Sequence, residues 1–144
     1  MASTLGVYIH IPFCKSKCDY CDFYSLAGRT ELMEGYLKAL RAHMAETAPL
    51  AKDCRVDTVY FGGGTPLMLG DKALCELLAW VKKLFRVERD GEITVEVNPD
   101  SVDLKALKRL RRAGFNRLSI GMQSACDGEP ARGPISRQYD LFHS

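Results

Sequence analysis

The 144-residue sequence lacks several features that would assign it to a common functional class. No apolar run approaches the roughly 20 residues of a membrane-spanning helix. The opening segment MASTLGVYIHIPF has neither the layout of a secretory signal nor the arginines of a transit peptide. The net charge of +2 gives no electrostatic basis for a nucleic-acid or membrane partner. We therefore expect a cytoplasmic protein whose cysteines stay reduced.

The glycine-rich segment FGGGTP (61–66) lacks the features of two common phosphate-binding motifs. No Gly-Lys-Ser/Thr follows it, as in a P-loop, and it has no further spaced glycine before a helix, as in a dinucleotide-binding fingerprint. Three adjacent glycines can let the backbone approach a ligand closely. They can equally form a tight turn at positive φ, and the residues alone leave both interpretations open.

The six cysteines lack the second pair of ligands that is typical of structural zinc sites. Cys14, Cys18 and Cys21 instead form one C-x3-C-x2-C group. Three thiolates from one loop can hold three corners of a cubane iron–sulfur cluster, which leaves the fourth iron open to a small molecule. The alternatives are zinc with a fourth ligand from His10, Cys54 or elsewhere, and a chance grouping.

Apolar spacing predicts an alternation of strands and helices as far as residue 124. Strands are predicted at 6–11, 56–66, 91–100 and 115–124, and helices at 30–51, 72–85 and 102–114. This order favours parallel strands with helical crossovers. Because four strands cannot close an eight-stranded barrel, we expect residues 1–124 to be the front part of a larger α/β domain. Residues 125–144 are predicted to be an irregular tail of foreign or frame-shifted origin.

Two polar side chains stand where predicted strands end. Glu96 closes the third strand and Gln123 closes the fourth. Ligands of parallel α/β folds bind at the carboxyl ends of the strands, although a single polar residue there is often only a solvated strand end. Since the cysteine group and the glycine turn also follow strands, the four features together predict one ligand site.

The segments YIHIPFCKSKCDYC, FGGGTP, VEVNPD and RLSIGMQS resemble, in order and spacing, a known family. They are similar to the radical S-adenosylmethionine (SAM) proteins of the oxygen-independent coproporphyrinogen III oxidase group. The resemblance implies the first half of a partial (βα)6 barrel, with four parallel strands and three helices. It also implies a [4Fe–4S] cluster on Cys14, Cys18 and Cys21, with SAM on the open iron.

By motif match, the resemblance further implies a set of residues around SAM: Tyr8, Tyr20, Gly63, Gly64, Thr65, Glu96 and Gln123. In that set the glycine turn would contact the methionine end of the cofactor. Glu96 would hold its amine or its ribose. Reduction of the sulfonium is the cofactor's own chemistry.

The two residues after the third cysteine separate branches of this family. They are Asp22 and Phe23, where the oxidase has Gly-Cys, and this resembles the HemW-like heme chaperone branch. That branch implies heme binding and delivery to hemoprotein clients, whereas the oxidase would decarboxylate coproporphyrinogen III. The alternative outside these two heme-related functions is a zinc-stabilised or inactive fragment. An uncovered edge of the fourth strand also predicts poor solubility or self-association.

Overall fold

A computed structural model of the chain describes residues 3–13, 26–99, 102–122 and 135–140. The strands are β1 (Ser3–Ile11), β2 (Cys54–Gly63), β3 (Arg86–Val97), β4 (Arg117–Met122) and β5 (Ile135–Asp140). The helices are α1 (Leu26–Thr47), α2 (Asp71–Leu84) and α3 (Leu104–Ala113). Within the described residues, no helix is both long enough and apolar enough to cross a bilayer.

The five strands form one sheet in the order β1-β2-β3-β4-β5. The first four strands are parallel, and β5 pairs with β4 in the antiparallel direction. The predicted α/β arrangement of four parallel strands with three helices is therefore confirmed. The prediction that the edge of the fourth strand is uncovered is wrong, because β5 pairs along β4. Self-association itself stays a prediction.

The hydrophobic core lies between the helices and one face of the sheet. Alternate residues of neighbouring strands are buried there: Ile9, Ile11, Val59, Phe61, Ile93, Val95, Val97 and Leu118. The rings of Phe61 and Phe115 meet edge to face with their centroids 5.1 Å apart. Since successive strand residues point to opposite faces, the residues between these core positions face away from the helices.

Helical periodicity accounts for α2 and α3. In α2, the apolar residues Leu74, Leu77, Leu78 and Val81 recur at helical spacing and are fully buried. At the start of α3, the Asp103 carboxylate accepts a hydrogen bond from the Ala106 N–H at 2.7 Å and caps the helix. The helix ends as predicted at Gly114, whose φ is +123°.

Some element boundaries differ from the sequence prediction. Helix α1 begins at Leu26 rather than at 30. The added residues include the good helix formers Leu26 and Ala27 but also Gly28, and they have no apolar period. Strand β3 begins at Arg86 rather than at 91, since its charged start pairs with Arg55 and Val56 of β2. Periodicity alone signals neither extension.

The segment 125–144 was predicted to be irregular, and that expectation is wrong for six of its residues. Ile135–Asp140 form β5 along the edge of β4. An exposed strand edge offers unpaired N–H and C=O groups, so a segment without a clear side-chain pattern can still add to it. The domain boundary at 124 and the foreign origin of the tail stay predictions.

Candidate functional site

The parallel register brings three of the predicted strand ends to one edge of the sheet. Ile11 at the end of β1 pairs with Gly63 at the end of β2. Glu96 near the end of β3 pairs with Ser119 of β4. We call this the carboxyl edge. The glycine turn and Glu96 lie at this edge, and the cysteine segment follows from it.

The sheet face that points away from the helices is polar near this edge. Its side chains belong to Tyr8, His10, Tyr60, Thr94, Glu96 and Ser119, which alternate with the core residues. We call this the polar face. Thr94 and Ser119 are buried although they lie outside the apolar core. Buried hydroxyls on a sheet face need hydrogen-bond partners, so this face is organised by polar contacts.

Glu96 is the centre of the polar contacts. Its Oε2 accepts a hydrogen bond from the Tyr60 hydroxyl at 2.8 Å, and its Oε1 accepts one from the Gly63 N–H at 2.8 Å. Ser119 hydrogen-bonds the phenol of Tyr60 in turn. The chain Ser119–Tyr60–Glu96–Gly63 therefore links β4, β2 and β3 and fixes both carboxylate oxygens.

The phenols of this face are held in their neutral form. Burial raises the pKa of Tyr60; the Ser119 hydrogen bond acts in the opposite direction, and the bond to Glu96 and its charge raise the pKa further. Burial and then the charge of Glu96 raise the pKa of Tyr8. Both hydroxyls accordingly keep their protons near neutral pH and can donate them in hydrogen bonds.

Tyr8 covers Tyr60 and remains open to solvent. The two rings stack with centroids 5.7 Å apart and planes inclined by 16°. The Tyr8 hydroxyl lies 3.3 Å from Nδ1 of His10, and 58% of the residue is exposed. Tyr8 thus presents an accessible aromatic surface beside the carboxylate, where a bound molecule would meet it.

Two glycines of the turn are required by their neighbours. A Cβ at position 62 would come within 2.7 Å of the Tyr60 ring, 2.9 Å of Glu96 Oε1 and 3.0 Å of the Tyr8 hydroxyl. At Gly63 a Cβ would lie 2.6 Å from the Ile11 carbonyl oxygen, and its φ of +115° already favours glycine. Gly62 therefore makes room for the polar contacts, and Gly63 makes the turn.

The remaining amides of the turn hold the segment that leads into the cysteines. The Gly64 N–H donates to the Ile11 carbonyl at 2.8 Å, and the Thr65 N–H donates to the Phe13 carbonyl. On the helix side, Tyr36 donates to the His10 carbonyl, and its ring meets that of Phe13 edge to face at 5.7 Å. The backbone is therefore held from both sides immediately before Cys14.

These contacts change what the turn can offer to a ligand. The N–H groups of Gly63, Gly64 and Thr65 are all donated within the protein. A ligand at the turn would therefore meet the carboxylate of Glu96 rather than free amides of these three residues. A carboxylate suits an ammonium or hydroxyl group of the ligand.

Several predicted site residues lie outside the described residues: Cys14, Cys18, Tyr20, Cys21 and Gln123. Their roles stay predictions. Within the described ranges no group of three potential metal ligands occurs. Cys54, considered above as a zinc ligand, lies at the opposite end of β2 from Gly63, roughly 30 Å away at strand spacing. It is therefore far from Phe13, which precedes Cys14.

Sequence reasoning missed Tyr60 and Ser119. Both are ordinary strand residues without a motif of their own. The signal that could have found them is alternation: Tyr60 precedes Gly62 by two positions, and Ser119 stands opposite Glu96 in the register. Finding Ser119 therefore required the strand pairing, which the sequence does not state.

The glycine turn, the strand-end carboxylate and the cysteine group after the first strand are the features on which the sequence resemblance to a known family rests. The profile of the Radical SAM superfamily matches residues 8–140, so the chain belongs to this superfamily. The family implies a [4Fe–4S] cluster and SAM as cofactors.

Particular relatives fall into two functional groups. The chain is 37% identical over 141 residues to the heme chaperone HemW of Bacillus subtilis, covering 96% of this chain and 37% of that protein. It is 38% identical over 120 residues to the oxygen-independent coproporphyrinogen III oxidase of Salmonella typhimurium, covering 83% of this chain and 26% of the oxidase. The chain thus spans 37% of the length of the first of these curated relatives and 26% of the second.

The fold agrees with a solved structure of the same group. Coproporphyrinogen III oxidase (HemN) from Escherichia coli, described as a radical SAM enzyme, superposes with a TM-score of 0.74 at 35% identity. The match covers 85% of this chain and 28% of the oxidase chain. The four parallel strands and three helices therefore correspond to part of a radical SAM fold, as the resemblance implied.

Proposed function

We propose that this chain provides the part of a HemW-like heme chaperone that binds a [4Fe–4S] cluster and SAM. The single observation that carries the proposal is that the glycine turn makes hydrogen bonds to two different parts of the site. Its Thr65 and Gly64 amides hold the backbone before the cysteine group, while its Gly63 amide holds Glu96. One turn therefore ties the start of the cysteine segment to a carboxylate on the same edge.

The donor set fits the cluster. Cys14, Cys18 and Cys21 would hold three irons, and the fourth iron would be open to SAM. When bound, the cluster and SAM supply one-electron reduction of a sulfonium. The positively charged amine and the ribose hydroxyls of SAM are hydrogen-bond donors, and Glu96 is an acceptor with both oxygens already oriented.

The other predicted residues would complete the pocket around these two groups. Tyr8 would exclude water with its exposed ring, which stacks on Tyr60. Gly63, Gly64 and Thr65 would approach the methionine end with their backbone, and Tyr20 and Gln123 would close the remaining sides. We assign no proton transfer to any of these side chains.

The chaperone is favoured over the oxidase by the residues after the third cysteine. Asp22 and Phe23 match the HemW-like pattern. The comparisons support either branch, since the named relatives are 37% and 38% identical. In this proposal heme is the cargo, and hemoproteins in the cytoplasm are its clients. The second candidate, the oxidase, is supported by the similarity to HemN.

Anaerobic reconstitution with iron and sulfide tests the cluster. We expect iron and sulfide to be taken up together, with a broad absorption near about 400 nm that bleaches with dithionite. Cys18→Ser should abolish this uptake, and Cys54→Ser is the matched control because Cys54 lies at the other end of β2. Stoichiometric zinc without sulfide would contradict the proposal and would favour the inactive or zinc-stabilised alternative.

A second pair of assays separates the two heme-related functions. Titration with ferric heme should give saturable binding with a shifted Soret band if the chain belongs to a chaperone. Decarboxylation of coproporphyrinogen III by the reconstituted protein with SAM and a reductant would instead establish the oxidase. Both assays use the Cys18→Ser variant to separate cluster-dependent effects from adventitious heme binding.

A further inference from the structure

Tyr60 donates to Glu96 but has no place in any motif identified in the sequence. Its ring packs under Tyr8, and its hydroxyl lies 2.8 Å from Glu96 Oε2. Ser119, which is 1% exposed, hydrogen-bonds that hydroxyl from the neighbouring side. A phenol that is stacked on one side and hydrogen-bonded at its oxygen has few alternative orientations.

Both oxygens of the carboxylate accept a hydrogen bond from within the protein. The Tyr60 hydroxyl donates to Glu96 Oε2 at 2.8 Å, and the Gly63 N–H donates to Glu96 Oε1 at 2.8 Å. Because hydrogen bonds in one network reinforce each other, the contact of Ser119 with the Tyr60 hydroxyl supports the bond to Glu96.

We infer that Tyr60 is a positioning residue, which together with Ser119 fixes the Glu96 carboxylate to receive a hydrogen-bond donor of the ligand at the carboxyl edge. The inference rests on the proposed function, in which that ligand is SAM. Tyr60 does not contact the ligand itself; it acts on ligand binding through Glu96. Its removal should weaken ligand binding while leaving the cysteine segment and the cluster in place.

The steric surroundings of Gly62 support the pairing of Tyr60 with Glu96. A Cβ at position 62 would collide with the Tyr60 ring, with Glu96 Oε1 and with the Tyr8 hydroxyl at once. Because glycine has no Cβ, position 62 leaves room for these three side chains to meet. Gly62 therefore admits the Tyr60–Glu96 pair, while the adjacent Gly63 makes the turn.

The first experiment tests the pairing in the protein without cofactors. Residue-selective 13C labelling of tyrosine allows the ionisation of Tyr60 to be followed by NMR. Because Glu96 raises the pKa of Tyr60, Glu96→Gln should lower the pH at which the Tyr60 signal titrates. Thr94→Val is the matched control, since it removes a buried hydroxyl of the same face and leaves the carboxylate intact. An unchanged Tyr60 titration in Glu96→Gln would overturn the inference.

The second experiment measures SAM binding to the reconstituted protein by equilibrium titration. Tyr60→Phe keeps the ring and should weaken binding by about tenfold, the loss expected for one hydrogen bond to a charged group. Ser119→Ala should have a smaller effect in the same direction, and Thr94→Val should have none. Cluster content, measured as iron and sulfide, should be equal in all four proteins.

A double-mutant cycle separates positioning from a direct contact. If Tyr60 acts through Glu96, Tyr60→Phe should add no loss of affinity in a Glu96→Gln background. Multiplicative losses would overturn the inference. A parent protein that takes up the cluster yet does not bind SAM would overturn both the proposed function and the ligand named here, whereas normal SAM binding by Tyr60→Phe would overturn the inference alone.

Discussion

The two faces of the parallel sheet have opposite chemistry although they are made by the same strands. The face under the helices is apolar, with Phe61, Val95 and Leu118 among its buried residues. The polar face carries two stacked tyrosines, a carboxylate and a buried serine within the same few positions. Neighbours in the sequence, such as Tyr60 and Phe61, therefore serve different purposes.

This difference separates stability from binding along each strand. Burial of apolar area is the main source of folding free energy, so the helix face should carry most of the stability. Polar contacts contribute less net free energy because water competes for them. We therefore expect substitutions on the polar face to alter ligand binding more than folding, and substitutions on the helix face to do the reverse.

The largest expected effect is that of Phe61→Ala. Phe61 is fully buried and packs against Phe115, so its truncation should cost about 3–5 kcal/mol of unfolding free energy. Tyr8→Ala is the matched change on the polar face, where an exposed ring should cost only about 1 kcal/mol. Urea denaturation measures both. Equal losses of unfolding free energy in the two variants would contradict the view that the helix face carries most of the stability.

A smaller effect is expected for Gly63→Ala, which lies where the two faces meet at the carboxyl edge. The positive φ and the close Ile11 carbonyl should cost about 1–3 kcal/mol. The substitution should also reduce cluster uptake, because Ile11 and Phe13 lead into the cysteine group. Urea denaturation and iron and sulfide analysis measure the two effects.

Gly35→Ala is the control for the turn. Gly35 lies on the exposed side of α1 with open space around its Cα. Alanine there should stabilise the protein by about 0.5–1 kcal/mol, since glycine is unfavourable within a helix. If Gly63→Ala were as well tolerated as Gly35→Ala, the turn would not hold the cysteine segment as described.

The sequence predicted the helix face better than the polar face, for a physical reason. Apolar periodicity is a local signal, and it identified the three helices and the four parallel strands. The site was predicted through motifs at strand ends, which led to Glu96 and the glycine turn. Tyr60 and Ser119 have roles that depend on register between strands, and β5 forms by backbone pairing. Neither register nor backbone pairing leaves a local pattern.

Asp103→Ala should have an effect of about 1 kcal/mol, because it removes the cap of α3 without touching either face. Asp103→Asn should retain most of the stability, since the amide oxygen can still accept the Ala106 N–H. Thermal and urea unfolding measure the difference. A loss as large as that of Phe61→Ala would mean that capping, rather than burial, stabilises the helix side.

The smallest effect concerns stability at alkaline pH. The pKa values of Tyr8, Tyr36 and Tyr60 are all raised, in each case first by burial. A group whose pKa is higher in the folded state stabilises the protein below its unfolded pKa, here about 10, and this contribution is lost as the pH rises through the folded value. The free energy of unfolding should therefore decline as the pH rises above about 10.

The two faces should differ in the origin of this decline. The contribution of Tyr60 depends in part on Glu96, whereas after burial the second cause at Tyr36 is Tyr8. Glu96→Gln should therefore reduce the loss of unfolding free energy at alkaline pH in the parent protein. The same substitution should have a smaller effect when it is made in Tyr60→Phe than when it is made in Tyr36→Phe. Urea denaturation at pH 8.5 and 10.5, two values on either side of about 10, measures the free energy of unfolding of each variant. An identical effect of Glu96→Gln in both backgrounds would mean that the carboxylate does not act through Tyr60.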